Sequence, residues 1–299
     1  MPLDMIIGAQ WGDEGKGRIT DLLAADADIT ARFSGGDNAG HTVTVGDHIY
    51  KLHLIPSGVI QPHNRCILGN GMVVNLEQMI RELDDLDEMQ VDISPRRIHL
   101  SRAAHIVTPA HLALDAAQEA RRGGEKIGTT KRGIGPAYVD KAARRGIRAA
   151  AMQNPDRFAE LVRKNINQAN ILLDRVYNQP TLDAEAVSAE YHAVALRLKP
   201  YLADTGSIIA SARADGQNVL AEGAQGTLLD IDHGSYPYVT SSSPTVPGAL
   251  LGLGVGPTHL RRIIGVTKCF QTRVGEGPFP TEQLGREGDL LRGTGENPW

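Results

Sequence analysis

Short apolar runs and helical repeats of apolar positions alternate along most of this chain. Residues 5–7 form an apolar run that enters a glycine-rich stretch, and Ile19, Leu22 and Leu23 then recur at helical spacing, the pattern of strand, glycine loop and helix. Residues 28–33 read as a second strand and run into another glycine-rich loop, 34–42. Residues 42–45 and 48–52 alternate apolar and polar around Gly46-Asp47, which predicts a hairpin. A strand at 65–69 precedes Leu76, Met79, Ile80, Leu83 and Leu86, whose spacings of three and four predict an amphipathic helix over 75–87. A strand at 98–100 and a helix at 110–122 follow, the helix stopping at Gly123-Gly124. Residues 155–215 read as helix, with Phe158, Leu161, Val162 and Ile166 on one face, a break at Gln179-Pro180 and Thr181 as the next cap. Strands return at 218–222 and 262–266, separated by a glycine-flanked loop, 223–234, and a Ser, Thr and Pro-rich segment, 236–247, that reads as an ordered loop or lid. Residues 272–282 form an extended glycine–proline segment.

Strands alternating with helices predict an α/β fold with a mostly parallel central sheet and flanking helices, the 155–215 helices being an excursion that covers the sheet. The 299 residues fit a single α/β domain, 1–299. Glycine loops at 8–17, 34–42 and 223–234 each follow a strand, so in a parallel sheet they converge on one cleft beyond the carboxyl ends of the strands.

The first loop carries phosphate chemistry. Gly12, Gly15 and Gly17 let backbone N–H groups crowd an anion, the following helix adds its positive end, and Lys16 can reach outer phosphates as a point charge. The loop departs from a Walker A sequence, with Gln10 where that pattern has Gly and Gly17 where it has Ser or Thr. Asp13 can supply the metal-binding oxygen that the missing hydroxyl would have given. A solvated surface turn is the plain alternative, and it would leave Asp13 and Glu14 exposed. Residues 121–148 carry nine Lys or Arg against Glu125 and Asp140, around the glycine- and threonine-rich stretch 127–136. That combination favours an anionic ligand such as a monophosphate, with Pro136 in the first turn of a helix.

Composition narrows the partners. A net charge of −4 argues against a general nucleic-acid binder. Cys66 and Cys269 cannot make a disulfide framework; both read as small buried hydrophobes in a reducing cytoplasm. No basic n-region opens the chain and no apolar run approaches membrane length, so neither a signal peptide nor a membrane span is expected.

The motifs at 10–17, 38–42, 52–58, 128–130, 132–136, 222–227 and 272–275 stand in the order of the adenylosuccinate synthetase family, which the chain closely resembles. The resemblance implies a ligase of purine biosynthesis that joins L-aspartate to IMP at the expense of GTP, with Mg²⁺, on a fold distantly related to P-loop GTPases and as a homodimer. Asp13 is then the catalytic base and a Mg²⁺ ligand, His41 the acid, and the Gly40 carbonyl a second metal ligand. Gly12, Asp13, Glu14, Gly15, Lys16, Gly17, Gly40, His41 and Thr42 surround the GTP phosphates. Asp13, Lys16, Asn38, Ala39, Gly40, His41, Thr130, Gln225, Thr240 and Val274 belong to the IMP site, and Arg144 reaches the IMP phosphate of a partner subunit. The family's aspartate loop and its Thr-Lys-x-Asp guanine motif lie beyond Thr281, so those contacts and the carboxyl-terminal part of the fold are expected past Trp299. Thr267-Lys268-Cys269 has no Asp after it and is set aside as a guanine motif. Two other readings remain: a related ligase acting on a guanine nucleotide monophosphate, and a catalytically silent GTP-binding module.

Overall fold

The structure is a computed structural model that describes residues 3–46, 48–124 and 126–294, the side chains of the last three excepted. Asp47 of the expected hairpin tip, Glu125 of the basic block and residues 295–299, where the aspartate loop was expected to begin, lie outside the described residues.

The chain runs β1 (Leu3–Gly8), α1 (Lys16–Ala24), β2 (Ile29–Arg32), β3 (His41–Val45), β4 (His48–Leu52), β5 (Arg65–Leu68), β6 (Val73–Asn75), α2 (Leu76–Glu88), β7 (Ile98–Ser101), β8 (His105–Val107), α3 (Pro109–Arg121), α4 (Ile134–Ala142), α5 (Pro155–Arg175), α6 (Ala184–Leu198), β9 (Leu202–Ala203), α7 (Thr205–Ala214), β10 (Val219–Glu222), α8 (Val246–Leu253), β11 (Leu260–Val266) and α9 (Arg286–Thr294). Seven strands form one sheet in the order β11-β1-β10-β2-β5-β7-β9, and every pairing in it is parallel. The loops after β1, β2, β10 and β11 therefore leave the same edge of the sheet. The hairpin pairs His41 with Leu52 through Val45 with His48.

The period of two along each strand sorts residues between the faces. Leu3 and Met5 of β1, Ile29 and Ala31 of β2 and Val219 and Ala221 of β10 pack on one face with Ile209 and Ala212 of α7 and Ala249 and Leu253 of α8. On the other face Ile6 and Leu220 meet Ala24 of α1, and Cys66 and Leu68 meet a larger core containing Leu83, Phe158, Val162 and Tyr191. Arg32 and Glu222 end their strands directly opposite each other in the β2–β10 register, and both are buried.

The structure refines several expectations. The 155–215 stretch is interrupted by β9, which joins the sheet beside β7. The cap after the Pro180 break is Asp183, which accepts from the N–H groups of Glu185 and Ala186 at 3.0 Å, rather than Thr181. The 236–247 loop gives way at its end to α8. Cys66 is buried as expected, whereas Cys269 is exposed, because it lies outside β11 on a surface segment. Among the described residues no helix is long and apolar enough to cross a membrane.

His105 of β8 is buried with Nδ1 unpartnered among the described residues. Burial first, and then the cations Lys141 and Arg148, push its pKa from near 6.5 to about 4. Between those values the unfolded chain takes up a proton that the folded chain refuses, so this contribution to stability is full above pH 6.5 and is lost as pH falls toward 4. His105→Gln should flatten the fall in melting temperature between pH 7 and pH 4.5; an unchanged slope in a folded variant would remove His105 from that role.

Candidate active site

The glycine loop closes around a carboxylate of its own. Glu14 is buried; its Oε1 accepts from the N–H groups of Gln10 (2.9 Å) and Gly12 (3.0 Å). Its Oε2 accepts from Lys16 Nζ at 2.6 Å, and Lys16 also donates to the Gly12 carbonyl at 3.0 Å. Room for this carboxylate comes from two bare Cα atoms: a Cβ on Gly8 would lie 2.5 Å from Glu14 Oε2, and one on Gly226 would lie 2.7 Å from Oε1. Glu14 is thus an internal ligand of the loop, and only its backbone remains for an outside phosphate. Arg18 N–H turns back to the Gly15 carbonyl at 3.2 Å, which leaves the N–H groups of Lys16 and Gly17 at the start of α1 to keep the anion-binding character expected of the loop.

Asp13 points the other way, into the cleft. Its Oδ2 accepts from Lys268 Nζ and from Thr272 Oγ1, each at 2.7 Å. Partial burial acts to raise its pKa, but these two hydrogen bonds and the charges of Lys268 and Lys16 outweigh it and hold the carboxyl below its ordinary range. The Gln10 side chain fixes Lys268 at two points: Lys268 N–H donates to Gln10 Oε1 at 3.0 Å, and Gln10 Nε2 donates to the Lys268 carbonyl at 3.3 Å. Gln10 thereby ties the phosphate loop to the segment after β11, a use for the residue that replaces the Walker glycine. Lys268 was passed over in the sequence because its Thr-Lys pair was weighed only as a guanine motif.

Gly17 lets His41 come close; a Cβ there would sit 2.9 Å from His41 Cβ. His41 Nε2 lies 3.6 Å from Glu222 Oε1. Glu222 accepts from Ser57 N–H at 2.8 Å and Ser57 Oγ at 3.2 Å, and Arg32 donates through Nη1 to the His53 carbonyl. Burial and the Arg32 charge push the His41 pKa down to about 3, so the imidazole is neutral here. Burial raises Glu222 above the usual carboxylate range in spite of Arg32 and Ser57. The signal for Arg32 and Glu222 was a charged residue closing an otherwise buried strand.

A cavity of about 670 Å³ lies beyond these groups. Of the expected residues it is lined by Gly12, Asp13, Asn38, Ala39, Gly40, Thr130, Gln225, Thr240 and Val274. A chain of hydrogen bonds joins three of the loops: Gln225 Nε2 to Asn38 Oδ1 (3.2 Å), Ser242 Oγ to Gln225 Oε1 (3.3 Å), and Thr240 Oγ1 with Ser242 Oγ (2.9 Å). Glu14, Gly15, Lys16, Gly17, His41 and Thr42 lie outside the lining, toward α1 and β3. Arg144 is exposed on the turn after α4, in a left-handed conformation at φ 61°. The cavity wall also contains Asp37, buried beside Asn75 (3.0 Å), whose carboxyl burial pushes upward.

Among the described residues no group of three or more His, Cys, Asp or Glu could enclose a metal ion. Asp13 and Gly40, which can offer a carboxylate and a backbone carbonyl as hard oxygen donors, instead line one cavity. That donor set fits Mg²⁺, which takes few protein oxygens and completes its shell with phosphate and water.

If Glu14 orders the loop, Glu14→Ala strands two loop amides and a buried ammonium. Urea unfolding should then show a loss of about 2–4 kcal/mol, with Glu14→Gln intermediate because its amide oxygen still accepts. Wild-type stability in Glu14→Ala would contradict this account of the loop.

The sequence model of the adenylosuccinate synthetase family matches residues 5–298. Adenylosuccinate synthetase of Heliobacterium modesticaldum is 52% identical over 291 residues, covering 97% of this chain and 68% of that protein. The Acaryochloris marina enzyme is 53% identical over 278 residues, covering 93% and 62%. The structure of fully ligated adenylosuccinate synthetase from Plasmodium falciparum superposes with a TM-score of 0.91 at 41% identity, covering 98% of this chain and 68% of that one. The succinoaminodeoxyadenylate synthetase of cyanophage S-2L, bound to dGMP and dATP, shares the fold at a TM-score of 0.59 and 23% identity, covering 89% and 64%. The chain therefore spans about two thirds of the length of these relatives. With a family match over nearly its whole length and half its residues identical to bacterial members, the chain belongs to the adenylosuccinate synthetase family.

Proposed function

We propose that this cavity serves the GTP-dependent ligation of L-aspartate to IMP, giving adenylosuccinate through 6-phosphoryl-IMP. One observation carries the reading: Asp13, a carboxylate kept ionised by Lys268 and Thr272, stands where the phosphate loop opens into a cavity large enough for a nucleotide. The same cavity wall gathers Asn38, Ala39, Gly40, Thr130, Gln225, Thr240 and Val274 to meet IMP.

The chemistry follows from these groups. IMP O6 is a weak nucleophile while N1 keeps its proton, and Asp13 is placed to accept that proton. O6 then attacks the γ-phosphorus of GTP; the new O–P bond forms as the bond to the bridging oxygen breaks and GDP leaves. The γ-phosphoryl oxygens carry the spreading charge, which the N–H groups opening α1 receive; Lys16, held inward by Glu14, adds its ammonium by leaving that carboxylate. Neutral His41 contributes an N–H donor rather than an imidazolium proton, although phosphate charge beside it acts against the downward shift of its pKa. Mg²⁺, when held by Asp13 and the Gly40 carbonyl, supplies neutralisation of the phosphates. The aspartate amine finally displaces phosphate from C6, forming the C–N bond while O6 leaves on the phosphate. Arg144 lies outside this cavity and is assigned to the IMP phosphate of a second subunit in a homodimer.

The test pairs binding with chemistry. Calorimetry should show IMP binding and little response to GMP or dGMP, which a guanine-monophosphate ligase would prefer and a GTP-binding module would treat like IMP. Asp13→Asn keeps shape but cannot take the N1 proton, so single-turnover GDP formation with IMP should fall by at least ~10²–10⁴-fold while IMP binding persists. Near-normal rates would remove Asp13 as the base.

A further inference from the structure

The 127–136 stretch was expected to meet an anionic ligand through its combination of glycines, threonines and basic residues; in the structure three of the amides of 127–133 are taken by the protein's own acids. Glu119, near the end of α3, is buried, and its Oε1 accepts from the N–H groups of Gly128 (2.7 Å) and Thr129 (3.3 Å). Asp115, one helical turn earlier and also buried, accepts through Oδ2 from Gly133 N–H at 2.9 Å. A spacing of four places both carboxylates on one face of α3. They take hold of the loop at its two ends, and the second attachment point is the residue that begins α4.

Between the two ties the chain turns tightly. Gly128 and Lys131 both have left-handed backbones, at φ 78° and 54°. Gly128 is pressed against the neighbouring segment 274–276 of the cavity wall, where a Cβ would lie 3.0 Å from Glu276 N. Left on the cavity wall by this arrangement are Thr129, whose buried Oγ1 has no partner among the described residues, Thr130, and Arg132, whose Nη1 lies 3.8 Å from Asp37 Oδ2. Two acids at the wall of an anion site make electrostatic sense only if their charge is spent on fixed amides, and the hydrogen bonds to Gly128 and Gly133 are the short, charge-assisted kind. Arg122 lies 3.4 Å from Glu119 Oε2 but is itself well exposed, so it adds little.

We propose that Glu119 and Asp115 are positioning residues: α3 acts as a template whose two carboxylates set the 127–133 loop so that its threonine hydroxyls and the Thr130 amide, not the Gly128 and Thr129 amides, meet the nucleotide monophosphate. The ligand named here rests on the reading of the cavity as an IMP site; the templating of the loop does not.

The loop carries its own reporters, because trypsin cuts after Lys126, Lys131 and Arg132. Glu119→Ala should speed tryptic cleavage at these residues by about 10-fold or more and weaken IMP binding by a similar factor, with binding of GTP changed less than about threefold. Glu119→Gln, whose amide oxygen can still accept from both N–H groups, should recover most of both losses. Wild-type cleavage and wild-type IMP affinity in Glu119→Ala would overturn the proposal. So would equal loss of IMP affinity in both variants with cleavage unchanged, since that pattern reports charge at the ligand and not loop geometry. If Glu119→Ala does not fold, the comparison of Glu119→Gln with the wild-type protein decides by the same two readouts. A wild-type protein that ignores IMP would defeat the reading of the cavity, and the cleavage rates would still show whether Glu119 holds the loop.

Discussion

Glu14 is the contact on which the site depends. A run of glycines between a strand and a helix has no reason to hold one shape, and the buried carboxylate supplies it by binding two loop amides and the Lys16 ammonium together. The sheet is arranged around that carboxylate. Gly8 ends β1 and Gly226 follows β10, and each must lack a side chain because the parallel pairing of β1 with β10 brings both against Glu14. Once the loop is closed, Gln10 is fixed and can hold Lys268, and Lys268 can hold Asp13. The ionised state of the proposed base thus traces back, through Lys268 and Gln10, to the packing of Glu14 inside the loop that also carries Asp13.

The same device recurs at 127–133, where Glu119 and Asp115 order backbone amides from a helix face. In both loops an internal acid occupies backbone N–H groups that a ligand could otherwise use. On the proposed reading, recognition of the ligand falls to the N–H groups opening α1, threonine hydroxyls, and the side-chain amides of Asn38 and Gln225. Such a site is built before the ligand arrives, so less ordering entropy is left to oppose binding. The negative charge buried in the walls is offset by cations held nearby, Lys16 beside Glu14 and Arg32 opposite Glu222.

Much of the fold was legible because its signals are periodic or conformational. The alternation of strands with glycine loops predicted a parallel sheet with one active edge, and the spacing of Leu76, Met79, Leu83 and Leu86 predicted α2. What escaped was too short or too mixed to carry a period. β6, β8 and β9 have three, three and two residues, and α8 opens on Val246 and Pro247, the end of the stretch read as loop, and is interrupted by Gly248 and Gly252. At the site, the glycine loops and Asp13 announced themselves, whereas Glu14 as an internal ligand, Lys268 and Glu119 did not. Their roles are set by partners up to 258 residues away in the chain, and no local pattern encodes which amide a buried carboxylate will meet.

The central claim is that O6 of IMP is made nucleophilic at Asp13 and takes the γ-phosphoryl group of GTP. IMP labelled with ¹⁸O at O6 tests it most directly, through the isotope shift in the ³¹P spectrum of the phosphate released on reaction with GTP, Mg²⁺ and aspartate. The account predicts one labelled oxygen in each phosphate released and none left on the purine product. Unlabelled phosphate, with its fourth oxygen drawn from water, would contradict it.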